Sequence, residues 1–161
     1  MKNKVLLPTR VPIYSTYHYQ MIPGVVAGET TQMMNWYYNN CIMLSCIRDF
    51  LKKEGDFAVR VEVENTNRMD NPHFERVEYN LRFMKSHVHQ VIKNMLNEGF
   101  YVDFNEIDDY YIQGKSWYGQ RHFMHDGLIC GYDDEDRTYS IMAYDSSWLC
   151  RLFKSPQRCL E

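Results

Sequence analysis

The sequence predicts an α+β fold in which helices pack against an antiparallel β-sheet, and two patterns support this prediction. Residues 128–132 and 138–144 are rich in β-forming side chains and flank the acidic segment 133–137, as in a β-hairpin with a short polar loop. Residues 41–54 place apolar side chains at intervals of three and four before Gly55, which is typical of an amphipathic helix. A chain of 161 residues is long enough to bury a core as one domain.

The composition excludes several classes of protein. Apolar residues make up 45% and charged residues 24% of the chain, as in an ordinary globular protein. The formal net charge is −3 and the Lys and Arg residues are scattered, so we expect no binding to nucleic acid. A short apolar run before Pro8 is not a secretory signal, and no run approaches the roughly twenty apolar residues of a membrane helix. We therefore expect a cytoplasmic protein without a membrane partner.

The cysteines predict free thiols. Five cysteines are an odd number, and none forms a Cys-x-x-Cys pair, which argues against a disulfide framework and a zinc knuckle. His122 and His125 are three residues apart, but no third ligand stands at a suggestive spacing. A metal site is therefore the weakest alternative, and we predict none.

We expect one domain over residues 1–161, with an extended arm at 1–31 and a catalytic body at 35–146. Three prolines in the arm disfavour a helix there; they are Pro8, Pro12 and Pro23.

Within the body, further elements follow from the pattern of apolar residues. Strict alternation predicts strands at 57–64 and 100–104, and a second amphipathic stripe predicts a helix at 84–98. Residues 146–161 are interpreted as a short tail.

The predicted hairpin brings a histidine and a carboxylate together. If its turn centres on Glu135 and Asp136, facing residues have numbers that sum to about 270 to 271. His125 then lies opposite Asp145 or Ser146, at the open end of the hairpin. An imidazole oriented by a carboxylate is two thirds of a nucleophilic triad.

Cys41 is the candidate for the third member. Asn39 or Asn40 would cap the predicted helix, so that Cys41 falls in its first turn, where free N–H groups and the helix dipole favour a thiolate. Cys46 is the competing thiol, but it lies about 140° around the same helix and has apolar neighbours, so we interpret it as a core thiol. The alternative interpretation of Cys41 is also a buried thiol.

The long connection before the hairpin is rich in aromatic residues and supplies candidates for the lip of a substrate groove. They are Tyr110, Tyr111, Trp117 and Tyr118. The alternative is an ordinary loop whose aromatic side chains fold onto the core.

Two segments resemble those of papain-like cysteine enzymes: NNCIMLSCIRDFLKKEG, and His-x-x-Leu-Ile-x-Gly-Tyr-Asp-Asp with an aspartate closing the next strand. The resemblance covers residues 35–146 and is strongest to the leader-peptidase-like branch and to the amino-terminal domain of the butirosin biosynthesis protein H family. It implies a papain-like fold with a nucleophile-bearing helix packed on the sheet. It also implies that Cys41 is the nucleophile, His125 the general base and Asp145 the residue that orients the imidazole.

The sequence departs from the family pattern at two places near the cysteine. Papain-like enzymes carry a glutamine about six residues before the nucleophile as an oxyanion donor, whereas this chain has Asn35 there and Gln32 farther back. The leader peptidases favour Gly after the nucleophile, and this chain has Ile42. Both departures argue against proteolysis and leave open whether Asn35 or Gln32 serves the oxyanion.

The resemblance therefore implies an acyltransferase that forms an amide bond in the biosynthesis of a peptide-like natural product. An acyl group would pass from a carrier-protein thioester, through an acyl-cysteine, to a small amine. The enzyme would need no cofactor of its own, because the phosphopantetheine arm of an acyl or peptidyl carrier protein would present the substrate. Two alternatives are a papain-like peptidase that cleaves a leader peptide and a catalytically inactive binding module. The acyl donor, the acceptor amine and the oligomeric state, including a homo-oligomer, are left open.

Overall fold

The computed structural model describes residues 2–12, 18–27, 30–40, 43–46, 59–62, 75, 77–84 and 86–160. In chain order, the elements are β1 Lys4–Leu6, α1 His18–Ala27, α2 Thr31–Asn40, β2 Met43–Cys46, β3 Val59–Glu62, α3 Leu81–Met84, α4 Val88–Asn97, β4 Val102–Asp108, β5 Met124–Asp133, β6 Thr138–Tyr144 and β7 Cys150–Pro156. Helices and antiparallel sheets are mixed, so the α+β prediction is confirmed. The chain divides into two compact units, Met1–Val26 with Val77–Glu161, and Ala27–Arg76.

The first unit is built on a five-stranded antiparallel sheet with β5 at its centre. One edge of β5 pairs with β6, and β6 pairs with β7. The other edge of β5 pairs with β4 along its first part and with β1 along its last three residues. Strand β7 lies in the segment interpreted from the sequence as a short tail, so that interpretation is wrong.

The β5–β6 hairpin has the register that the sequence predicts. Leu128 faces Met142, and the two numbers sum to 270; Tyr132 faces Tyr139, and these sum to 271. The sum changes by one because the register shifts near Cys130, where β5 carries an extra residue. The predicted strands are confirmed, and β5 starts earlier than predicted, at Met124.

Helix α4 covers one face of this sheet. Its residues Val88, Ile92 and Leu96 recur every four positions and are buried. They belong to the same apolar cluster as Ile129 and Ile141, which face each other across β5 and β6. Full burial of such a side chain contributes about 1.5 to 3 kcal/mol. The predicted helix at 84–98 and the predicted strand at 100–104 are confirmed, with the strand continuing to the end of β4.

Helix α1 contributes to a second apolar cluster. Met21 and Val25 are fully buried and join Leu128 and Met142 of the sheet. The sequence predicts an extended arm here, and that prediction is wrong for residues 18–27. Burial of Met21 and Val25 against the sheet outweighs the helix-disfavouring effect of Pro23, which lies in the middle of α1 and has no N–H to donate there.

Strand β1 reaches the sheet at a glycine. A Cβ on Gly131 would lie 2.5 Å from the carbonyl oxygen of Val5 and 3.1 Å from the Cα of Leu6. Only a residue without a side chain admits the backbone of β1 so closely. The strand is also held by an ion pair of 2.5 Å between Lys4 and Asp133.

The second unit contains α2 and an antiparallel pair, β2 and β3. Strand β3 confirms the strand predicted at 57–64 for residues 59–62. Strand β2 contradicts the helix predicted at 41–54 for Met43–Cys46, because these residues are extended and pair with Val59–Glu62; the rest of both predicted segments lies outside the described residues. Short apolar runs satisfy both helical and extended patterns, and here a partner strand thirteen or more residues away decides between them. Asn39 and Asn40 are the last two residues of α2, and the next described residues form β2.

In the ranges that the structure describes, no helix has the length and apolar character needed to cross a bilayer.

Candidate functional site

His125 and Asp145 lie at the same end of the sheet, but the side chain of Asp145 is bound elsewhere. His125 sits near the start of β5 and pairs with Ile107 of β4. Asp145 follows β6, and its Oδ1 accepts hydrogen bonds from the N–H groups of Ser147 and Leu149, at 2.8 and 2.9 Å. Its Oδ2 lies 2.6 Å from Nε of Arg151. Asp145 thus closes its own turn and carries an ion pair.

The backbone N–H of Leu149, joined by that of Ser147 and by the charge of Arg151, holds the pKa of Asp145 below its usual value, although burial opposes them. None of the hydrogen bonds or ion pairs of Asp145 within the described residues involves His125. The pairing of His125 with Asp145 therefore stays a prediction.

His125 has other carboxylates and an aromatic ring around it. Its Nε2 lies 3.8 Å from Oδ1 of Asp126, beyond hydrogen-bond length, and its ring centroid lies 5.8 Å from that of Phe123. The charge of His125 also acts on Asp109 and lowers the pKa of that carboxyl. A carboxylate near His125 is thus present, but it comes from the end of β4 and not from the end of β6.

A buried ion pair lies beside this histidine. Nζ of Lys115 is 3.3 Å from Oδ1 of Asp109, with side chains 4% and 7% exposed, and it donates a hydrogen bond of 2.9 Å to the carbonyl oxygen of Tyr144. Burial raises the pKa of Asp109, while the charges of Lys115 and His125 oppose that rise. The pair connects the long connection before β5 to the end of β6.

Within the described residues, the imidazole of His122 is bound by the carboxylate of Asp108. Nδ1 of His122 lies 2.5 Å from Oδ2 of Asp108, which is 6% exposed, whereas the ring is 63% exposed. The other oxygen, Oδ1, accepts hydrogen bonds from the N–H groups of Tyr110 and Phe123, at 3.0 and 3.1 Å. Both oxygens of the carboxylate are therefore occupied, and its direction is set by the backbone.

The electrostatics of Asp108 favour its ionised form. Burial alone would raise its pKa, but the hydrogen bond from His122, the two backbone N–H groups and the charge of the imidazole together lower it. An ionised Asp108 accepts a hydrogen bond from the ring, which favours the neutral imidazole with its hydrogen on Nδ1 and a lone pair on Nε2.

Two of the aromatic residues predicted to line a groove surround this histidine. The ring of Tyr110 stacks on His122 with centroids 4.4 Å apart, and Tyr111 meets the same ring edge-on at 5.9 Å. The guanidinium of Arg158 lies over the ring of Tyr111, 4.6 Å from its centroid.

The other two predicted lining residues lie further along the connection. The guanidinium of Arg121 lies over the ring of Trp117, 3.5 Å from its centroid. The ring centroids of Trp117 and Phe123 are 6.0 Å apart. Tyr118 is exposed. Because Phe123 also contacts His125, aromatic side chains neighbour both histidines.

The predicted nucleophile, Cys41, lies outside the described residues. The candidates for the oxyanion, Asn35 and Gln32, are exposed on α2, and the backbone oxygen of Asn35 accepts a hydrogen bond of 2.7 Å from Asn39. The cysteines of the first unit are buried: burial raises the pKa of Cys130 to about 12 and that of Cys150 to about 11.

Sequence reasoning missed Asp108 as a partner of His122, although the pattern of β4 carries a signal. Its apolar residues Val102, Phe104 and Ile107 are spaced by two and then by three, which indicates an extra residue in the strand. The structure has a register shift between Phe104 and Ile107, and this shift brings Asp108 opposite Met124.

Among the residues that the structure describes, no group of three or more His, Cys, Asp or Glu side chains is arranged to hold a metal ion. Comparison of the chain with protein-family models, with curated proteins and with solved structures finds no match.

Proposed function

We propose that the protein is a cysteine-dependent acyltransferase of papain-like fold that forms an amide bond. The sequence likeness around Cys41 and His125 suggests this class. The observation that supports the proposal is the exposed imidazole of His122 bound to the buried carboxylate of Asp108, because a histidine held by a carboxylate is the kind of oriented base that acyl transfer needs. Aromatic rings around the two histidines supply apolar surface for an acyl group.

The proposed reaction has two stages. The thiolate of Cys41 attacks the carbonyl of a thioester on the phosphopantetheine arm of a carrier protein; a carbon–sulfur bond forms to Cys41, and the carrier thiol leaves with a proton. A small amine then attacks the acyl-cysteine, a carbon–nitrogen bond forms, and the Cys41 thiol is released. In the first stage, His125 takes the proton from Cys41 and returns it to the leaving sulfur, as the resemblance implies.

Asp145 can orient the imidazole of His125 only if its carboxylate is released from its present ion pair. Its carboxylate would have to leave Arg151, at 2.6 Å, before it could orient His125. Asp109 already acts on His125 electrostatically, without any such rearrangement. We therefore expect Arg151→Ala to increase the first-stage rate if Asp145 serves His125, and to leave it unchanged if Asp109 does.

Intact mass spectrometry tests the proposal directly. The protein is incubated with an acyl carrier protein that carries an acetyl thioester, and the expected result is a covalent acetyl adduct that is absent from Cys41→Ala. Cys150→Ala is the matched control, because its buried thiol should not carry the adduct. An adduct that persists in Cys41→Ala but disappears in Cys46→Ala would assign the nucleophile to the other thiol.

Two outcomes would select the alternatives. Cleavage of a peptide without any carrier protein would favour a leader peptidase. Absence of any adduct, together with an ordinary rate of Cys41 alkylation by iodoacetamide near neutral pH, would favour an inactive binding module.

A further inference from the structure

We propose that residues 109–123, together with Arg158, form a binding site for a small aromatic anion, a phosphate monoester attached to a planar ring as in a nucleoside monophosphate. The site consists of described residues of the first unit, so it goes beyond the proposed acyl transfer and needs neither Cys41 nor the second unit. Two guanidinium groups that lie on aromatic rings without a carboxylate partner point to this class of ligand.

The two arginines of the site are exposed and lie over aromatic rings. The guanidinium of Arg121 is 3.5 Å from the ring centroid of Trp117 and 5.5 Å from that of Phe123. The guanidinium of Arg158 is 4.6 Å from the centroid of Tyr111. A guanidinium held on a ring loses little conformational freedom when the N–H groups at its edge bind an anion. Both arginines are therefore positioned for such binding in advance.

The charges around the site leave these guanidinium groups available. Neither of them forms an ion pair with a carboxylate in the described part of the chain. The nearby carboxylates are engaged elsewhere, because both oxygens of Asp108 bind His122 and backbone N–H groups, and Asp109 is paired with the buried Lys115. Guanidinium groups without a counter-ion are complementary to phosphate, with which they form charge-assisted and often bidentate hydrogen bonds.

Contacts between the two arginines join their rings into one surface. Tyr111 meets the imidazole of His122 edge-on at 5.9 Å, and Tyr110 stacks on the same imidazole at 4.4 Å. The N–H of Gly119 donates a hydrogen bond of 3.0 Å to the carbonyl oxygen of Tyr110, which brings the turn after Trp117 beside this pair. The surface therefore offers ring faces on which a planar ligand can stack.

The turn that carries Arg121 is fixed by its backbone. Gly119 has a φ of 65°, which lets the chain reverse direction after Trp117, and the N–H of Gln120 donates a hydrogen bond of 3.0 Å to the carbonyl oxygen of Trp117. The buried Lys115 anchors the same connection to the end of β6 through a hydrogen bond of 2.9 Å. Because the site is already ordered, a ligand pays little for its organisation.

The charge of the chain favours a small ligand over a nucleic acid strand. The formal net charge is −3, and the two arginines of the site can serve one phosphate group. A strand carries a run of phosphates and binds to a basic stripe, which the scattered Lys and Arg residues do not form. A single phosphate joined to one planar ring matches both the charge and the aromatic surface.

The experiment titrates the full chain with AMP and compares it with two fragments of that ligand. Ribose 5-phosphate keeps the phosphate without the ring, and adenosine keeps the ring without the phosphate. AMP should shift the indole N–H signal of Trp117 and the Nε–H signal of Arg121 in ¹H–¹⁵N spectra. Each fragment should bind about tenfold or more weakly by calorimetry, because it loses either the charge-assisted hydrogen bonds or the stacking.

Variants assign the binding to the two arginines. Arg121→Gln and Arg158→Gln should each weaken AMP binding about 10- to 100-fold, and Arg121→Lys should restore only part of the affinity because an ammonium lacks the planar fork. Arg151→Gln is the matched control, since that arginine is already paired with Asp145. Cys41→Ala should bind AMP like the wild type, which separates this site from the proposed acyl transfer.

Unchanged amide spectra establish that each variant is folded. The inference is overturned if millimolar AMP leaves the signals of Trp117 and Arg121 in place, or if both Arg→Gln variants bind AMP like the wild type. Equal affinity for ribose 5-phosphate and AMP would overturn the role of the rings. A short oligodeoxythymidylate that binds far more tightly than AMP would assign the surface to single-stranded nucleic acid and overturn the proposed class of ligand.

Discussion

Replacing Lys115 with methionine should destabilise the protein by about 3 to 4 kcal/mol at pH 7, because the change leaves a buried carboxylate without its counter-ion. Nζ of Lys115 lies 3.3 Å from Oδ1 of Asp109 and 2.9 Å from the carbonyl oxygen of Tyr144. Methionine is flexible and of similar length, so the substitution removes the charge and the hydrogen bond without opening a large cavity.

Two limits set this magnitude. Removal of one partner from a buried ion pair costs about 3 to 5 kcal/mol. Asp109 can escape the penalty by binding a proton, and protonating at pH 7 a carboxyl whose unfolded pKa is about 3.9 costs about 4 kcal/mol at 1.36 kcal/mol per pH unit. The upper limit at pH 7 is therefore about 4 kcal/mol.

The same reasoning fixes the pH dependence. Burial already raises the pKa of Asp109, and loss of the opposing charge of Lys115 raises it further. A carboxyl with a raised pKa in the folded state binds its proton more tightly there, so its penalty is absent below the unfolded pKa and grows as pH rises to the folded pKa. The destabilisation should therefore shrink as the pH is lowered from 7 to 5, by at most about 1.4 kcal/mol per pH unit.

Urea unfolding followed by circular dichroism at pH 5, 6 and 7 measures the effect. Lys154→Met is the matched control, because its ion pair with Asp136, at 3.0 Å, is exposed on both sides and should contribute less than about 1 kcal/mol. Adding Asp109→Asn to Lys115→Met should recover much of the loss. A loss below about 1 kcal/mol, or one that does not change with pH, would refute the reasoning.

Three further predictions concern single sites. Gly131→Ala should cost about 1 to 3 kcal/mol in urea unfolding, because its Cβ would lie 2.5 Å from the carbonyl oxygen of Val5; an unchanged midpoint would contradict the packing of β1. Cys130 and Cys150 should resist iodoacetamide at pH 8 in the folded protein, since burial raises their pKa to about 12 and about 11, and early modification of either by peptide mapping would disprove this. The pKa of Asp145, measured by carboxyl ¹³C shifts, should lie below the usual value because backbone N–H groups donate hydrogen bonds to the carboxylate. These bonds stabilise the folded protein above the unfolded pKa, and the stabilisation is lost as the pH falls through the lowered pKa. An ordinary pKa would argue against those bonds.

The hairpin could be predicted from the sequence because its information is local. The acidic turn and the two flanking runs are adjacent in the chain, and alternation along each run restricts the register to within one residue. The residue numbers of facing pairs sum to 270 on one side of Cys130 and to 271 on the other, because the register shifts by one residue there. The amphipathic stripe of α4 was equally local and equally well predicted.

The segment after Asn40 could not be predicted in this way. Met43–Cys46 satisfies an apolar helical pattern on its own, and its conformation as β2 depends on pairing with β3. The partner strand is distant in sequence, and single-sequence periodicity contains no information about that pairing. Cys41 itself lies outside the described residues, and the extended conformation of β2 does not support a helix that would begin there and lower the pKa of its thiol.

The bulge in β4 explains why the pair of Asp108 and His122 was hidden. Unbroken alternation would place Phe104, Glu106 and Asp108 on the face that packs under α4, with two carboxylates in an apolar core. The register shift after Phe104 moves Ile107 onto that face, where it is buried, and turns Asp108 to the other side. Burying an isoleucine in place of a carboxylate favours the bulge energetically. The same shift that completes the core thus frees a carboxylate at the strand end to hold an imidazole.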